Sequence, residues 1–449
     1  MNQTRSFRNI SRDAPFEAAP KQLWQTGAVS NPSAMLNTQQ RPLRPASAVS
    51  SWTGWIGVAG FAIAIIITKS FALIADFSIP LVCVLTGLPM VLFECATRRP
   101  WASSSTDWDG ASKQARNWGR VLVKLAGFVI AFTMLCGWFY LAPYYQNGTF
   151  TWIYKGAWLL GPFALAFAAI YVAWADRYLG HPCDGAWHCG ALLLRPKVTT
   201  KPDLKLAIEF LLGWFIKGFF FVFLVNILPN NIEFLRVQTF DPWTSVYRFV
   251  FVLTTTLFTI DVVIALIGYV CTFKPLGAQI RSPNTRITGW VAALTCYPPF
   301  VLIGGFALLD YRKGGVYWDG WISTQNPFQV VWAIAVIACL VIYVWATVAF
   351  GIRFSNLTNR GTITHGPYRL FRHPAYVAKN CYWWLIFVPW INTLSTNQAI
   401  INCLLLALLT LIYFVRAKTE EAHLLEDPDY QAYVAWFDSH RFWQRIASK

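Results

Sequence analysis

Long apolar runs recur along the chain and constrain its fold more than any other feature. A helix needs about 20 apolar residues to cross the hydrocarbon core of a bilayer, where only helices and closed barrels satisfy every backbone hydrogen bond. Runs of this kind are found at 52–68, 71–95, 121–145, 152–175, 204–228, 246–271, 287–309, 327–350, 376–394 and 397–415. The sequence therefore predicts an all-α, polytopic integral membrane protein with about ten transmembrane helices.

The charged residues are few, and most of them are basic. Only 13% of the 449 residues are charged, and 37 Lys and Arg against 21 Asp and Glu give a net charge of +16. Soluble proteins carry about 25% charged residues. On so apolar a chain, the cationic excess indicates basic loops beside a membrane rather than a nucleic-acid surface. We therefore expect a bilayer as partner, and no nucleic acid.

The positions of the basic residues predict the topology. Ten spans place both termini on one side of the membrane, and 30 of the 37 Lys and Arg residues fall in the segments of that side. Those segments are the N-terminal tail, 97–124, 176–205, 272–286, 351–379 and 416–449. Because cytoplasmic loops carry the excess of Lys and Arg, both termini are predicted to be cytoplasmic.

Three regions follow from this pattern. Residues 1–50 are polar and basic without an apolar face, which predicts a disordered cytoplasmic tail. Residues 51–286 form a predicted six-helix transmembrane region that we interpret as an accessory domain. Residues 287–449 form a second transmembrane region with a cytoplasmic C-terminal segment, and this region carries the functional motifs.

Two polar segments flank the last helical hairpin, 376–415. The first reads Gly366-Pro367-Tyr368-Arg369 and then Arg372-His373-Pro374-Ala375-Tyr376. The second reads Arg416, Glu420-Glu421 and Leu424, followed by Tyr430 and Tyr433. Since a helical hairpin returns the chain to the same membrane face, the cationic, aromatic loop is expected to meet the carboxylates.

Local chemistry predicts how these two segments begin and pair. Pro374 is expected near the first position of a helix, where its missing N–H costs nothing. Arg416 lies one turn before Glu420, so the two side chains are expected to pair along the helix.

In order and spacing, these segments resemble those of the integral-membrane methyltransferases typified by isoprenylcysteine carboxyl methyltransferase. Phosphatidylethanolamine N-methyltransferases share the pattern, which is G-P-Y-R, R-H-P-x-Y, a helical hairpin, R-x-x-x-E-E-x-x-L and Y-x-x-Y. The resemblance covers roughly residues 327–449. It implies S-adenosylmethionine as methyl donor and a lipid or lipid-linked acceptor whose methylated atom belongs to a carboxylate, an amine or a phosphate-type oxygen.

The resemblance also implies roles for individual residues. The cofactor-binding candidates are Tyr368, His373, Pro374, Tyr376 and Glu421. The catalytic candidates are Arg372, Arg416, Glu420 and Glu421. The carboxylates would hold the cofactor's ammonium or ribose, or the acceptor. The arginines would orient the cofactor carboxylate or an anionic acceptor, since a guanidinium suits carboxylate and phosphate.

Two alternatives stay open at this point. Sterol C14 and C7 reductases, which bind NADPH, also resemble the chain in span number. Their sequence motifs, however, are R-H-x-N-Y-x-G-D and later R-D-x-x-C-x-x-K-Y-G. This chain instead continues from His373 with Pro-Ala-Tyr-Val-Ala-Lys and carries Glu420-Glu421, which favours the methyltransferase. The second alternative is a non-enzymatic transporter or scaffold, suggested by the ionisable residues inside predicted spans, Asp76, Glu209, Lys217 and Asp261.

A loop rich in His and Cys follows the fourth span. It contains His181, Cys183, His188 and Cys189, with Asp184 and Trp187 among them. The spacing fits no standard zinc pattern, so we expect no metal. The loop is predicted to be structural or to face the substrate, and our hypothesis is that Asp184, Trp187 or His188 contacts the acceptor.

Overall fold

The computed structural model describes residues 42–99, 101, 117–146, 151–194, 201–238, 245–297, 310–314, 327–387 and 394–440. Within these ranges the chain is almost entirely helical, as predicted. The helices are α1 (Thr53–Ser70), α2 (Ala75–Arg98), α3 (Trp118–Leu141), α4 (Thr151–Ala175), α5 (Gly185–Leu194), α6 (Lys201–Val237), α7 (Val246–Val270), α8 (Ile287–Leu294), α9 (Phe328–Phe350), α10 (Pro374–Phe387), α11 (Thr396–Leu424) and α12 (Pro428–Ser439). Two short strands, β1 (Ser282–Pro283) and β2 (Thr358–Asn359), pair antiparallel.

Seven of the described helices are long and apolar enough to cross a membrane, which supports a multi-pass membrane protein. They are α1, α2, α3, α6, α7, α9 and α11. The count of about ten is not confirmed. The fourth predicted span corresponds to α4, while the seventh and ninth begin as α8 and α10 and continue into residues outside the described ranges.

Polar side chains mark the starts of several helices. The side chains of Asn117, Ser245 and Ser395 each accept a hydrogen bond from a backbone N–H three residues later, at the starts of α3, α7 and α11. Asp427 caps α12 in a similar way, and Pro428 occupies the first helical position. Such caps satisfy backbone donors that have no partner inside the helix.

Small residues allow two close helix contacts. A Cβ atom on Gly54 would lie 1.9 Å from the carbonyl oxygen of Val348, so α1 and α9 approach backbone to backbone. A Cβ atom on Gly190 would lie 1.7 Å from the carbonyl oxygen of Val123, where α5 crosses α3. Small residues at crossings of this kind are typical of membrane helix packing.

Described parts of the segments that the charge pattern assigns to one side of the membrane contact one another at one end of the helices. Lys274 Nζ lies 3.0 Å from Asp184 Oδ2, and Lys124 Nζ lies 3.6 Å from Asp184 Oδ1. The pairing of β1 with β2 connects the segment after α7 to the loop after α9. This end of the bundle therefore carries polar connections between sequence-distant parts of the chain.

The last residues of the predicted tail, 42–50, are among the described ones and pack against this end. Ala48 N–H donates to the Thr362 carbonyl at 2.8 Å, and Arg98 Nη1 donates to the Ser47 carbonyl at 2.6 Å. Residues 1–41 lie outside the described ranges, so the disorder of the tail stays a prediction, as does the division at residue 286.

Candidate active site

The loop between α9 and α10 contains backbone turns that require glycine. Gly351, Gly361 and Gly366 have φ angles of +49°, +101° and +61°, which side-chain-bearing residues rarely adopt. Gly366 opens a 3₁₀ turn over Gly366–Arg369, and Pro374 is the first residue of α10, as predicted. The loop thereby delivers Tyr368, Arg372 and His373 to the end of the hairpin.

A cavity lies between this loop and the polar ends of α11 and α12. Its wall includes aromatic rings, four arginines and a carboxylate. Its lining residues include Tyr297, Tyr343, Thr347, Arg353, Asn356, Arg360, Tyr368, Arg372, His373, Tyr376, Lys379, Tyr413, Arg416, Glu420, Tyr430 and Tyr433. The two segments singled out by sequence therefore meet around one cavity.

The first contact between the two segments joins α10 to α11. The Tyr376 hydroxyl donates to Glu420 Oε2 at 2.5 Å. His373 stacks on the Tyr376 ring, with ring centroids 5.7 Å apart and planes 5° from parallel. A phenol, an imidazole and a carboxylate are thus held side by side on the cavity wall.

The second contact is a charged bridge centred on Arg372. Its guanidinium pairs with Glu421 of α11 and with Asp438 of α12, and Lys418 Nζ lies 3.2 Å from Glu421 Oε2. Burial acts to lower the pKa of Arg372, but its hydrogen bonds to Glu421 and Asp438 outweigh burial and raise the pKa above its ordinary value. Arg372 therefore stays charged and connects the loop to both C-terminal helices.

The partner of Arg416 differs from the one predicted. The part of the chain that the structure describes contains no Arg416–Glu420 ion pair; Arg416 Nη2 instead donates to Asn356 Oδ1 at 2.8 Å. The guanidinium carbon lies 5.1 Å from the ring centroid of Tyr376 and 5.6 Å from that of Tyr297. These cation–π contacts turn Arg416 away from its own helix surface and into the aromatic cavity.

A third contact fixes the tyrosines of α12. The Tyr433 hydroxyl donates to the Tyr368 carbonyl at 2.7 Å, which places α12 across the 3₁₀ turn. Burial raises the pKa of Tyr368 and of Tyr430 above their ordinary values. Both phenols therefore stay protonated at neutral pH and can donate a hydrogen bond to a ligand.

Several cavity atoms have no hydrogen-bond partner among the described residues. They are His373 Nε2, Tyr430 Oη, Arg372 Nε and Arg353 Nε, all buried. A buried polar atom without a partner costs free energy. Together with the cavity's carboxylate and arginines, these atoms fit a polar ligand that carries both charge signs, as an amino-acid-containing cofactor does.

A lateral groove adjoins the cavity and shares four lining residues with it, Arg372, His373, Tyr376 and Tyr413. It runs between α10 and α11, and its walls are largely apolar. The apolar side chains on its wall include Trp345, Leu370, Phe371, Val377, Trp384, Phe414 and Phe437. The basic residues on its rim are Arg44, Arg369 and Lys418.

Most candidates from sequence lie at this site. Tyr368, Arg372, His373, Tyr376, Arg416 and Glu420 line the cavity. Glu421 lines the groove instead, where it pairs with Arg372. Pro374 is buried at the start of α10 and lines neither space, so its role at a cofactor stays a prediction.

The His- and Cys-rich loop lies elsewhere. Burial acts to raise the pKa of Asp184, but Lys274 and Lys124 lower it below its ordinary value, so Asp184 is an ionised partner of those two lysines. His188 is buried in α5. Asp184, Trp187 and His188 line neither the cavity nor the groove, and their contact with an acceptor stays a prediction.

No metal site is formed around that loop in the described residues, since they contain no group of three or more His, Cys, Asp or Glu side chains arranged to hold an ion. For His181, Cys183, His188 and Cys189 the expectation of no metal stays a prediction.

Sequence reasoning missed other lining residues. Tyr297 and Asn356 contact Arg416 directly, and Lys379 lies 5.2 Å from the Tyr343 ring centroid. Lys379 gave one usable signal, because a lysine in the second turn of an apolar helix is unusual. Tyr297 and Asn356 gave no such signal in the sequence. They belong to the site only because folding brings them against Arg416, which is distant from both in the chain.

A cavity with unsatisfied polar groups, set at one end of membrane helices, is typical of a membrane-embedded enzyme. Residues 328–426 match the model of the isoprenylcysteine carboxyl methyltransferase (ICMT) family. The match covers α9 to the end of α11, so the resemblance predicted from the motifs is confirmed for the C-terminal module. No curated protein and no solved structure matches the chain. The family match supports a membrane methyltransferase.

Proposed function

We propose that the protein transfers a methyl group from S-adenosylmethionine to a lipid or lipid-linked acceptor at the cytoplasmic face of a membrane. The observation that carries this proposal is the junction of the two motif segments around one cavity. There Tyr376 bonds Glu420 and Arg372 bridges Glu421 to Asp438, within the region that matches the methyltransferase family.

The donor set of the cavity fits this cofactor. Glu420 and the ring faces of Tyr376 and His373 suit a cationic ammonium or sulfonium group, while Arg416 suits a carboxylate. Tyr430 Oη and His373 Nε2 are free to bond ribose or adenine atoms. When bound, S-adenosylmethionine supplies an electrophilic methyl group on its sulfonium sulfur.

The residues of the chain contribute position and desolvation. The Arg372 bridge holds the loop, α11 and α12 in fixed relation, and Tyr433 fixes the Tyr368 turn. Such fixed placement is the main source of rate in a transfer between two bound groups. The apolar groove offers a path for the hydrocarbon part of the acceptor, and its head would enter the cavity beside His373 and Tyr376.

The need for a base depends on the acceptor. A carboxylate acceptor is already ionised at neutral pH and requires no proton removal. An amine acceptor must lose a proton, and His373 is the best placed residue, because its Nε2 is unpaired in the described structure. Glu421 is engaged with Arg372 and Lys418, and Glu420 with Tyr376.

The test is cofactor binding by the full-length protein in nanodiscs, with S-adenosylmethionine and NADPH titrated side by side. We expect saturable binding of S-adenosylmethionine that weakens at least about tenfold in His373→Ala and Glu421→Ala. His181→Ala is the matched control, because His181 is exposed and lies outside the cavity. Binding of NADPH alone would establish the reductase alternative, and binding of neither would favour the transporter or scaffold.

The acceptor class is then read from the product. Membrane lipid extracts are incubated with S-adenosylmethionine that is isotopically labelled in its methyl group. A carboxyl methyl ester releases labelled methanol in mild base, whereas a methylated amine keeps its label. Label in lipid from the wild type but not from His373→Ala would support lipid methylation, and label confined to water-soluble material would contradict it.

A further inference from the structure

A second cavity lies among the earlier helices and, in the described residues, shares no lining residue with the candidate active site. Helices α3, α4, α6 and α7 line it, and aromatic side chains form much of its wall. These include Phe128, Phe132, Phe139, Tyr140, Tyr154, Phe167, Tyr171, Trp214, Phe221, Tyr269 and Phe273. None of these residues lines the candidate active site, so the cavity needs an explanation of its own.

One basic side chain lines this apolar space. Lys217 lines the cavity near the middle of the 37-residue helix α6. Its Nζ lies 4.5 Å from the ring centroid of Trp214. Among the residues that the structure describes, no carboxylate pairs with Lys217 and none lines the cavity. A charge at bilayer depth is costly unless an anion or a dipole offsets it.

Three other polar side chains of the wall are already engaged. Gln146 donates to the Tyr140 carbonyl at 2.6 Å, Tyr154 donates to the Tyr145 carbonyl at 2.6 Å, and Thr272 donates to its own helix end. These groups therefore offer few donors to an occupant. A phosphate group needs many donors when it leaves water, whereas a single carboxylate matches the one ammonium of Lys217.

We infer that this cavity binds a long-chain carboxylate, with the carboxylate on Lys217 and the hydrocarbon chain along the aromatic wall. One ammonium would meet one carboxylate, and the apolar wall includes side chains of both α3 and α4. The site is separate from methyl transfer and does not depend on the proposed activity.

The cavity also touches the candidate active site through one residue. Tyr269 forms part of its wall, and the Tyr269 hydroxyl accepts a hydrogen bond from the Asn356 backbone N–H at 2.9 Å. The Asn356 side chain in turn accepts the hydrogen bond from Arg416. A ligand in the N-terminal cavity would thus contact Tyr269, which is bonded to Asn356, the hydrogen-bond partner of Arg416.

The test uses the full-length protein in phosphatidylcholine nanodiscs, with empty nanodiscs as background. The probe is cis-parinaric acid, a fluorescent long-chain carboxylate, and its methyl ester is the uncharged counterpart. We expect saturable binding of the acid, competition by palmitate, and binding of the ester that is at least about tenfold weaker. Equal affinity for acid and ester in the wild type would overturn the proposal.

Variants of Lys217 give the second arm. Lys217→Met removes the charge and keeps the length, and it is expected to weaken binding of the acid about tenfold or more while leaving the ester unchanged. The matched control is Lys205→Met on the same helix, since the Lys205 side chain is 76% exposed and pairs with Glu209. Lys217→Arg retains the charge, and its affinity for the acid should lie within a few-fold of the wild type.

Unchanged binding of the acid by Lys217→Met would contradict the proposal. If Lys217→Met does not reconstitute, the acid and ester comparison in the wild type decides.

Discussion

The Tyr376 hydroxyl donates a hydrogen bond of 2.5 Å to Glu420, a residue 44 positions later in the chain. This contact joins the first turn of α10 to the polar end of α11. Both residues line the candidate active-site cavity, and Tyr376 also stacks on His373 and faces Arg416. Four of the residues singled out from the sequence therefore form one connected group.

Replacing Tyr376 with Phe tests that group with little change in shape. The ring would still stack on His373, but Glu420 would lose its donor. A hydrogen bond to a charged group contributes about 1.5–3 kcal/mol, so we expect kcat/KM for methyl transfer to fall at least about tenfold. Tyr140→Phe is the control, because Tyr140 is 78% exposed and lies in another part of the fold. Full activity in Tyr376→Phe would show that the contact is not used.

The Arg372 bridge predicts a difference between two neighbouring arginines. Arg372→Lys keeps the charge but cannot reach both Glu421 and Asp438, since an ammonium lacks the guanidinium fork. We expect a loss of stability of about 1–3 kcal/mol, seen as a lower thermal midpoint, together with weaker cofactor binding. Arg369→Lys is the matched control in the same loop, where Arg369 is exposed. Equal thermal midpoints for the two variants would argue against the bridge.

Asn356 is expected to position Arg416. Asn356→Ala removes the acceptor of the Arg416 Nη2–H. The guanidinium keeps its hydrogen bond to Tyr297 and its contacts with the rings of Tyr376, Tyr297 and Tyr413. We expect S-adenosylmethionine affinity to drop about tenfold, in line with one lost charged hydrogen bond. The exposed Asn397 on α11 serves as control through Asn397→Ala. An unchanged affinity would separate Arg416 from cofactor binding.

Two neighbouring aspartates should differ in their effect on stability. Asp427 accepts hydrogen bonds from Asn359, Arg281 and the Asp429 backbone N–H, so it connects α12 to β2 and to the segment before β1. Asp429 contacts Arg281 but is 64% exposed. We expect Asp427→Asn to lower stability by about 1–2 kcal/mol, as loss of a helix cap does, and Asp429→Asn to change it by less than about 0.5 kcal/mol. Thermal midpoints in detergent measure both.

His365 predicts a pH dependence. Burial, and then the charges of Arg44 and Arg98, lower the pKa of His365 to about 4, whereas an unfolded histidine titrates near about 6.5. Between these two pKa values, His365 binds a proton in the unfolded chain but not in the folded protein. The stability that comes from a neutral His365 is complete above about pH 6.5 and is lost as the pH falls from there toward 4.

The pH prediction is measured as the change in thermal midpoint between pH 7 and pH 5. In the wild type we expect a clear drop, and in His365→Gln a smaller one, since glutamine can bond Ser47 as His365 does but does not titrate. The same drop in both proteins would assign the pH dependence to other groups.

Much of the architecture followed from local sequence features. Apolar runs of about 20 residues predicted the membrane helices, because a helix of that length spans the bilayer with every backbone hydrogen bond made within it. Pro374 marked the start of α10, and the order of motifs identified the C-terminal module that matches the ICMT family. The number of spans did not follow in the same way, because hydropathy alone does not delimit short helices such as α8 and α10.

The choice of partner for each polar side chain could not be derived in the same way. Helical spacing suggested that Arg416 pairs with Glu420, but Arg416 bonds Asn356 and Glu420 bonds Tyr376. Lys217 was recognised as an intramembrane charge, yet the cavity around it is built from four helices. Residue types and their spacing along one helix specify where apolar faces and polar ends lie. The ion pairs, the cavities and their lining depend on distances between residues tens to hundreds of positions apart, and those distances exist only after the helices have packed.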